Sequence, residues 1–206
     1  MNASPPETRP KLILASASAS RARLLAAAGL AFETDPVSLD EEAVKDSFRR
    51  EGRPAADCAV ALAETKARRA STRHPGDLVI GADQMLVCGG QWFDKPKDVP
   101  TARAQLRALR GKRHELPTAT AVLRDGAVLW HAVETPALTM RDFSDAFLED
   151  YLAALGEKAL ASVGAYQLEG LGAQLMARVE GDHFAVQGMP LLPLLDFLRG
   201  HGALTP

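Results

Sequence analysis

Short apolar runs alternate with segments of helical period along most of this chain. Leu12 to Ala15 is an apolar run of the kind that forms a buried strand, and it opens into Ser16, Ala17, Ser18, Ala19 and Ser20, a loop of small and hydroxyl-bearing residues. The spacing then predicts a helix from about Arg21 to Gly29, where glycine suits the left-handed position after a helix end. Leu30 to Val37 reads as a second strand, leading into the acidic stretch Ser38-Leu39-Asp40-Glu41-Glu42. Pro54 to Ala70 reads as an Ala-rich helix with proline near its first turn; Ala56, Val60, Ala63 and Ala67 form its predicted inward face, and Glu64 and Lys66 fall on other faces. Taken locally, Lys66 is a solvated lysine. Leu78 to Ala82 is a continuous apolar run, the mark of a strand covered on both faces, and Asp83 follows directly. Met85 to Cys88 is a short strand closed by Gly89-Gly90, and Gln91 to Asp98 a loop.

In the second half, Pro100 to Leu109 is predicted as a helix with Ala102, Leu106 and Leu109 inward and Gly111 as its stop. Leu116 to Arg124 and Ala127 to Glu134 flank Asp125-Gly126, a two-residue hairpin signal, and Thr135 to Arg141 extends the sheet. Phe143 to Leu155 is a helix capped by Ser144, with Phe147, Leu148, Tyr151, Leu152 and Leu155 as a core stripe. Ala161 to Ala173 is Gly-rich, Gln174 to Val179 strand-like, Glu180-Gly181-Asp182 a turn, and Pro190 to Leu198 a closing helix. Residues 1–10 form a polar, Pro-rich leader to a single domain over 11–206. Strands and helices are interleaved and a hairpin sits in the second half, so the expectation is α/β, a mixed sheet flanked by helices.

Composition narrows the partners rather than the fold. Hydrophobic residues at 47% and charged residues at 24% are ordinary for a globular chain. The net charge of −2 supplies no electrostatic footprint for nucleic acid or an anionic membrane, so any anion must be held by a few placed cations. No apolar run approaches the ~18 residues of a membrane span, and residues 1–10 lack the apolar core of a secretion signal. Cys58 and Cys88 lie far apart without ligand spacing. A cytoplasmic protein with structural thiols is expected.

Candidate chemistry is dispersed. There is no GxxxxGK[ST] loop, no GxSxG elbow and no HExxH, Gly170-Leu171-Gly172 is not a dinucleotide fingerprint, and the five histidines show no paired spacing. Strand, small-residue loop and helix from Leu12 onward is a layout that aims backbone N–H groups and a helix dipole at an anion. Arg21 and Arg23 oppose that dipole, which an external anion would explain; the plainer alternative is a strand–helix unit with a Ser cap and a solvated arginine face. The three carboxylates from Asp40 are a solvated turn or the acidic first turn of a helix, or else a set with one member facing a metal. Asp83 stands at the exit of a buried strand, where open α/β sheets place functional groups and burial favours metal or base duty. Lys95 is held in front of Pro96. Arg21, Glu41, Lys66, Asp83 and Lys95 together are the parts for a hard metal bound to a polyphosphate.

Those residues lie in ordered motifs: LILASASASRARLLAAAGL at 12–30, LDEE at 39–42, LAETKA at 62–67, VIGADQ at 79–84, DKP at 94–96, GAYQLEGLGA at 164–173 and GMPL at 188–191. In this order they resemble the Maf family of nucleotide pyrophosphatases, of the inosine triphosphate pyrophosphatase superfamily. The resemblance implies a two-lobed α/β fold and hydrolysis of a nucleoside triphosphate between its α and β phosphates with a divalent metal, Mg or Mn. By motif position Asp83 would be the general base and a metal ligand, Glu41 a metal ligand, and Arg21, Lys66 and Lys95 phosphate clamps. A homodimer is expected by the same analogy. Ser18-Ala19-Ser20-Arg21 departs from the family's Ser-Pro-Arg-Arg. The positions the family associates with base choice fall on Ser20, Gln84 and Glu169; the last two resemble the branch preferring 7-methyl-GTP, whereas Ser20 matches neither that branch nor the dTTP/UTP one. A modified or non-standard purine triphosphate is the expected substrate, since a Glu accepts from the N–H edge of guanine. The rival readings are an inhibitor of septum formation and a nucleotide-binding regulator without turnover. Retention of Glu41, Lys66, Asp83 and Lys95 favours turnover, because binding alone needs cations more than a placed base.

Overall fold

The computed structural model describes residues 10–205. The leader predicted over residues 1–10 lies, except for Pro10, outside them. In chain order the elements are β1 (Leu12–Leu14), α1 (Ala19–Ala27), β2 (Glu33–Thr34), α2 (Glu41–Arg50), α3 (Ala55–Ser71), β3 (Leu78–Gln84), β4 (Leu86–Cys88), β5 (Gln91–Phe93), α4 (Val99–Leu109) and β6 (Arg113–Glu115). They continue as β7 (Thr118–Arg124), β8 (Ala127–Glu134), β9 (Ala137–Met140), α5 (Asp145–Leu155), three 3-10 turns between Gly156 and Leu175, β10 (Met176–Glu180), α6 (His183–Val186) and α7 (Leu191–Gly200).

The strands form two five-stranded sheets, β2-β1-β3-β7-β8 and β10-β9-β6-β4-β5. The first is mixed, with β1 parallel to β2 and β3 and an antiparallel hairpin β7–β8 at its edge. The second is antiparallel throughout. Between its strands the chain crosses from one sheet to the other three times: from β8 to β9 through Thr135-Pro136, and in two side-by-side passages, from β3 to β4 through Met85 and from β6 back to β7 through Leu116-Pro117. Met85 N–H donates to the Pro117 carbonyl (2.8 Å) and seals the two crossings together.

Period-two patterning in β3 explains why the first sheet is covered on both sides. Leu78, Ile80 and Ala82 pack with Leu12, Leu14, Leu24, Leu25, Leu194 and Leu198 beneath α1 and α7. Val79 packs on the other face with Ile13, Ala121, Leu123 and the small residues of α3. Gly81 points to that same face: a Cβ there would overlap the Ala63 carbonyl and lie 2.9 Å from the Ala67 Cβ, so α3 rests directly on strand backbone. The second sheet has its own core with α4, α5 and the 3-10 turns.

The mixed, helix-flanked α/β architecture with two lobes is the one expected. Several elements differ from the sequence reading. Helix α1 begins at Ala19, because the Ser18 hydroxyl caps it by accepting from Arg21 N–H. The acidic stretch is the first turn of a helix, as one of its alternative readings has it; this helix, α2, runs on to Arg50, further than the acidic turn itself indicated, with Asp40 as its cap accepting from Ala43 N–H at 3.1 Å. The strand predicted over Leu30 to Val37 shrinks to Glu33–Thr34. Part of the predicted loop after Gly90 is strand β5, paired with β4 across two glycines of positive φ. Strand β9 joins the second sheet rather than extending the hairpin. In α3 the buried face is Cys58, Ala59, Leu62, Ala63, Lys66, Ala67 and Ala70, with Ala56 and Val60 only half-buried. Lys66, on the local pattern a solvated lysine, is buried.

Candidate active site

A cleft of about 600 Å³ opens where the two sheets meet, at the exit of β3. Ser20, Arg21, Glu41, Lys66, Asp83, Gln84, Lys95 and Glu169 all line it, so the eight residues to which the resemblance gives a role face one cavity, whereas Arg23 does not line it. Lys45, Asp94 and Ser16 line it as well and were not singled out.

One wall is the loop between β1 and α1. Ser16 is buried, and its Oγ accepts from Ser18 N–H (3.2 Å) and from Arg21 Nη1 (3.2 Å). Arg21 Nε donates to the Gly188 carbonyl at 3.0 Å. Gly188 has φ +111°, and a Cβ there would stand 3.4 Å from that nitrogen, so glycine both turns the chain and leaves the guanidinium its seat. Arg21 Nη2 has no partner among the described residues. Burial lowers the Arg21 pKa while Asp83 and Glu41 raise it; a guanidinium stays charged under these pressures.

The floor is an ion network set by α2, α3 and β3. The contact at Gly81 brings Lys66 over Asp83, two residues further along the same face of β3. Lys66 Nζ lies 2.5 Å from Asp83 Oδ1 and 2.7 Å from Glu41 Oε1. Glu41 sits in the first turn of α2, and Lys45 follows on the same helix face at i+4. Lys45 Nζ is 2.5 Å from Asp94 Oδ1 and 3.9 Å from Glu41 Oε2. Arg49, a further turn along, reaches Asp94 Oδ2 (3.2 Å) and lies over the Trp92 ring. Burial works to raise the Glu41 carboxyl, but Lys66, Lys45 and Lys95 hold it below its ordinary value. Burial pushes Lys45 down, and Asp94, Asp83 and Glu41 outweigh it and raise its pKa. The Lys95 ammonium, on an otherwise exposed side chain, is lowered by desolvation and by the Arg21 and Lys66 charges. Lys95 has no hydrogen-bond or ion-pair partner among the described residues.

The far end is lined by Gln84 and by the 3-10 segment. Gln84 Nε2 donates to Thr118 Oγ1 (3.0 Å) and to the carbonyls of Ala185 (2.9 Å) and Val186 (3.1 Å). Two carbonyls can only accept, which fixes the amide orientation and leaves Oε1 without a partner among the described residues. Across the cleft, Ser20 Oγ donates to Glu169 Oε1 (2.9 Å), and Arg23 Nη2 donates to both, at 3.0 Å each. The segment carrying Glu169 is held by Gly172, where a Cβ would collide with Gln167 backbone, and by Tyr166, whose hydroxyl lies 2.6 Å from His114 Nε2.

Among the described residues no group of three or more His, Cys, Asp and Glu side chains could hold a metal by itself. Mg²⁺ needs only one or two carboxylates when phosphate oxygens and water complete its shell. Glu41 and Asp83 fit that requirement: both are hard oxygen donors and both already grip a single cationic centre, the Lys66 ammonium. Lys45 became visible only with α2 in place, since its meaning lies in its i+4 relation to Glu41; Asp94 stood in the DKP motif beside Lys95. No helix of the described residues is long and apolar enough to cross a membrane.

A family model described as Maf-like protein matches residues 11–201. The nucleoside triphosphate pyrophosphatase of Paramagnetospirillum magneticum is 57% identical over 194 residues, which cover 94% of this chain and 100% of the relative. The nucleoside triphosphate pyrophosphatase of Rhodospirillum rubrum is 55% identical over 195 residues, 95% of this chain and 96% of that protein. The 7-methyl-GTP pyrophosphatase of Rhizobium etli is 48% identical over 195 residues, 95% and 98% of the two chains.

Proposed function

The chain belongs to the Maf-like protein family, and we propose that it hydrolyses a nucleoside triphosphate to the monophosphate and pyrophosphate, with a guanine-type base favoured over dTTP and UTP. One observation carries the reading: a buried lysine–carboxylate cluster and two cations without carboxylate partners among the described residues, Arg21 and Lys95, face one cleft. A carboxylate pair alone would suit a cation, and cations alone would suit any anion. Both together suit a polyphosphate with a reacting water.

In this reading Arg21 and Lys95 hold the phosphate chain, with the α1 N-terminus adding its dipole. Water attacks the α-phosphorus, the bond from that phosphorus to the bridging oxygen breaks, and pyrophosphate leaves with the electron pair. Asp83 takes the water proton on Oδ2, the oxygen not engaged by Lys66. A divalent cation held by Glu41 and Asp83 would supply Lewis-acid charge neutralisation when bound. Positioning and charge stabilisation supply most of the rate in such chemistry.

The preference for the base rests on two acceptors. Gln84 presents Oε1 and Glu169 presents a carboxylate, so a base that donates twice along one edge, as guanine does through N1–H and its amino group, is matched better than thymine with its single N–H. Methylation at N7 adds positive charge, which Glu169 also favours. Pyrophosphate release measured over 7-methyl-GTP, GTP, dTTP, UTP and CTP with Mg²⁺ or Mn²⁺ tests this, and a clear dTTP preference would refute it. Asp83→Asn is expected to lower release by about 10²–10⁴-fold with an unchanged fold by circular dichroism; undiminished turnover would remove Asp83 from its role.

A further inference from the structure

The ammonium of Lys66 sits between two carboxylates that come from different elements, α2 and β3, at 2.7 Å from Glu41 and 2.5 Å from Asp83. Its side chain is only 10% exposed and that of Asp83 only 6%. Only one of the two oxygens of each carboxylate is engaged by Lys66. The geometry is that of a cation site already filled, from inside, by a side chain. We propose that Lys66 is a resident counter-ion which keeps Glu41 and Asp83 together and competes with a divalent cation for the space between them. The protein then binds the bare metal weakly, and metal entry requires the ammonium to leave.

Three physical points support the displacement. First, with Lys66 seated, the carboxylate pair retains one net negative charge, against two without it, so removing the lysine strengthens attraction for a divalent ion. Second, a lysine ammonium is a point charge on a flexible four-carbon stem, so it can withdraw without moving α3, whose backbone is fixed on Gly81. Third, an alternative partner is at hand: Arg21 and Lys95 mark the same cleft as the place for a polyanion, and a displaced ammonium can follow its phosphate oxygens. Lys45 differs in kind. It is paired to Asp94 and stands 3.9 Å from Glu41 outside the gap, so it adds charge without occupying the space.

This inference rests on the reading of Glu41 and Asp83 as the metal carboxylates, and it is tested without turnover. Mn²⁺ alone is titrated into the full chain, free ion being read by electron paramagnetic resonance, for the unaltered protein, Lys66→Met, Lys66→Arg and Lys45→Met. Lys66→Met is expected to bind Mn²⁺ at least about tenfold more tightly than the unaltered protein. Lys66→Arg should bind no more tightly, and Lys45→Met only slightly more. Equal or weaker binding by folded Lys66→Met, or an equal gain in Lys45→Met, overturns the competition. If Lys66→Met melts early, its Tm should rise more with Mn²⁺ than that of the unaltered protein, and an equal rise counts against the proposal. Adding Glu41→Gln to Lys66→Met should abolish the gain; if the gain survives, the metal carboxylates are misassigned and the fault lies with that reading instead.

Discussion

At the residue scale, Ser20 stands at the cleft rim, bonded to Glu169. Its short side chain leaves room at the cleft rim, and Arg23, three residues on and therefore on the same face of α1, reaches across it to Glu169. Arg23 and Ser20 thus share Glu169 Oε1, leaving the other carboxylate oxygen available to a base. The Arg23 side chain is 59% exposed, so this pair contributes little to stability. Its effect is on where Glu169 points. Arg23→Ala is expected to raise KM for the guanine nucleotide proposed as substrate about 3–10-fold, with kcat nearly unchanged and Tm within about a degree, as read from steady-state kinetics and a thermal melt. An equal fall in kcat for every nucleotide would instead place Arg23 with the phosphates. The sequence named Ser20 and Glu169 separately, 149 positions apart; their direct bond, and the part of Arg23 in it, exist only once the 3-10 segment is folded against α1.

At the scale of elements, the seating of α3 on β3 decides whether the ion network forms. Gly81 has an ordinary φ, so its role is space rather than backbone freedom. Gly81→Ala would drive a methyl into the Ala63 carbonyl and the Ala67 methyl, and overpacking of this kind costs about 1–3 kcal/mol. Because Ala63 and Ala67 flank Lys66, the shift carries the ammonium away from Asp83. The variant should therefore show a lowered denaturation midpoint together with a loss of pyrophosphate release larger than its loss of folded protein; stability lost without extra loss of activity would mean that α3 gives way elsewhere. Apolar periodicity revealed α3 and β3, and the run VIGADQ put Asp83 just past the strand, whereas β3 runs on through Asp83 to Gln84 and leaves Asp83 next to its last residue. Periodicity hid α2 because that helix, EEAVKDSFRR, is mostly charged and buries only Lys45 and Phe48. The same cause misplaced Lys66: a lysine inside an Ala-rich helix looks solvated until the strand carrying its carboxylate is laid beneath it.

At the scale of the whole molecule, the cleft belongs to neither sheet. Asp83, Lys66 and Arg21 come from the first sheet and its covering helices, whereas Asp94, Lys95, Gln167 and Glu169 come from segments attached to the second. Local patterns fix each sheet, but which ends of them meet depends on the paired crossings at Met85 and Leu116-Pro117, and no periodicity encodes that. The motifs therefore supplied the residues, and the crossings supplied their convergence. A ligand that bridges the two sides ties the lobes together, and anything that binds only the folded state stabilises it by about 2.7 kcal/mol at a hundredfold excess over Kd. Asp83→Asn, expected to bind without turning over, makes this measurable with the hydrolysable nucleotide itself. Saturating 7-methyl-GTP should raise its Tm by several degrees and slow hydrogen exchange both in α1 and in residues 161–173, on opposite sides of the cleft. Protection confined to α1 would mean that the phosphates are held there but that the base never reaches Glu169.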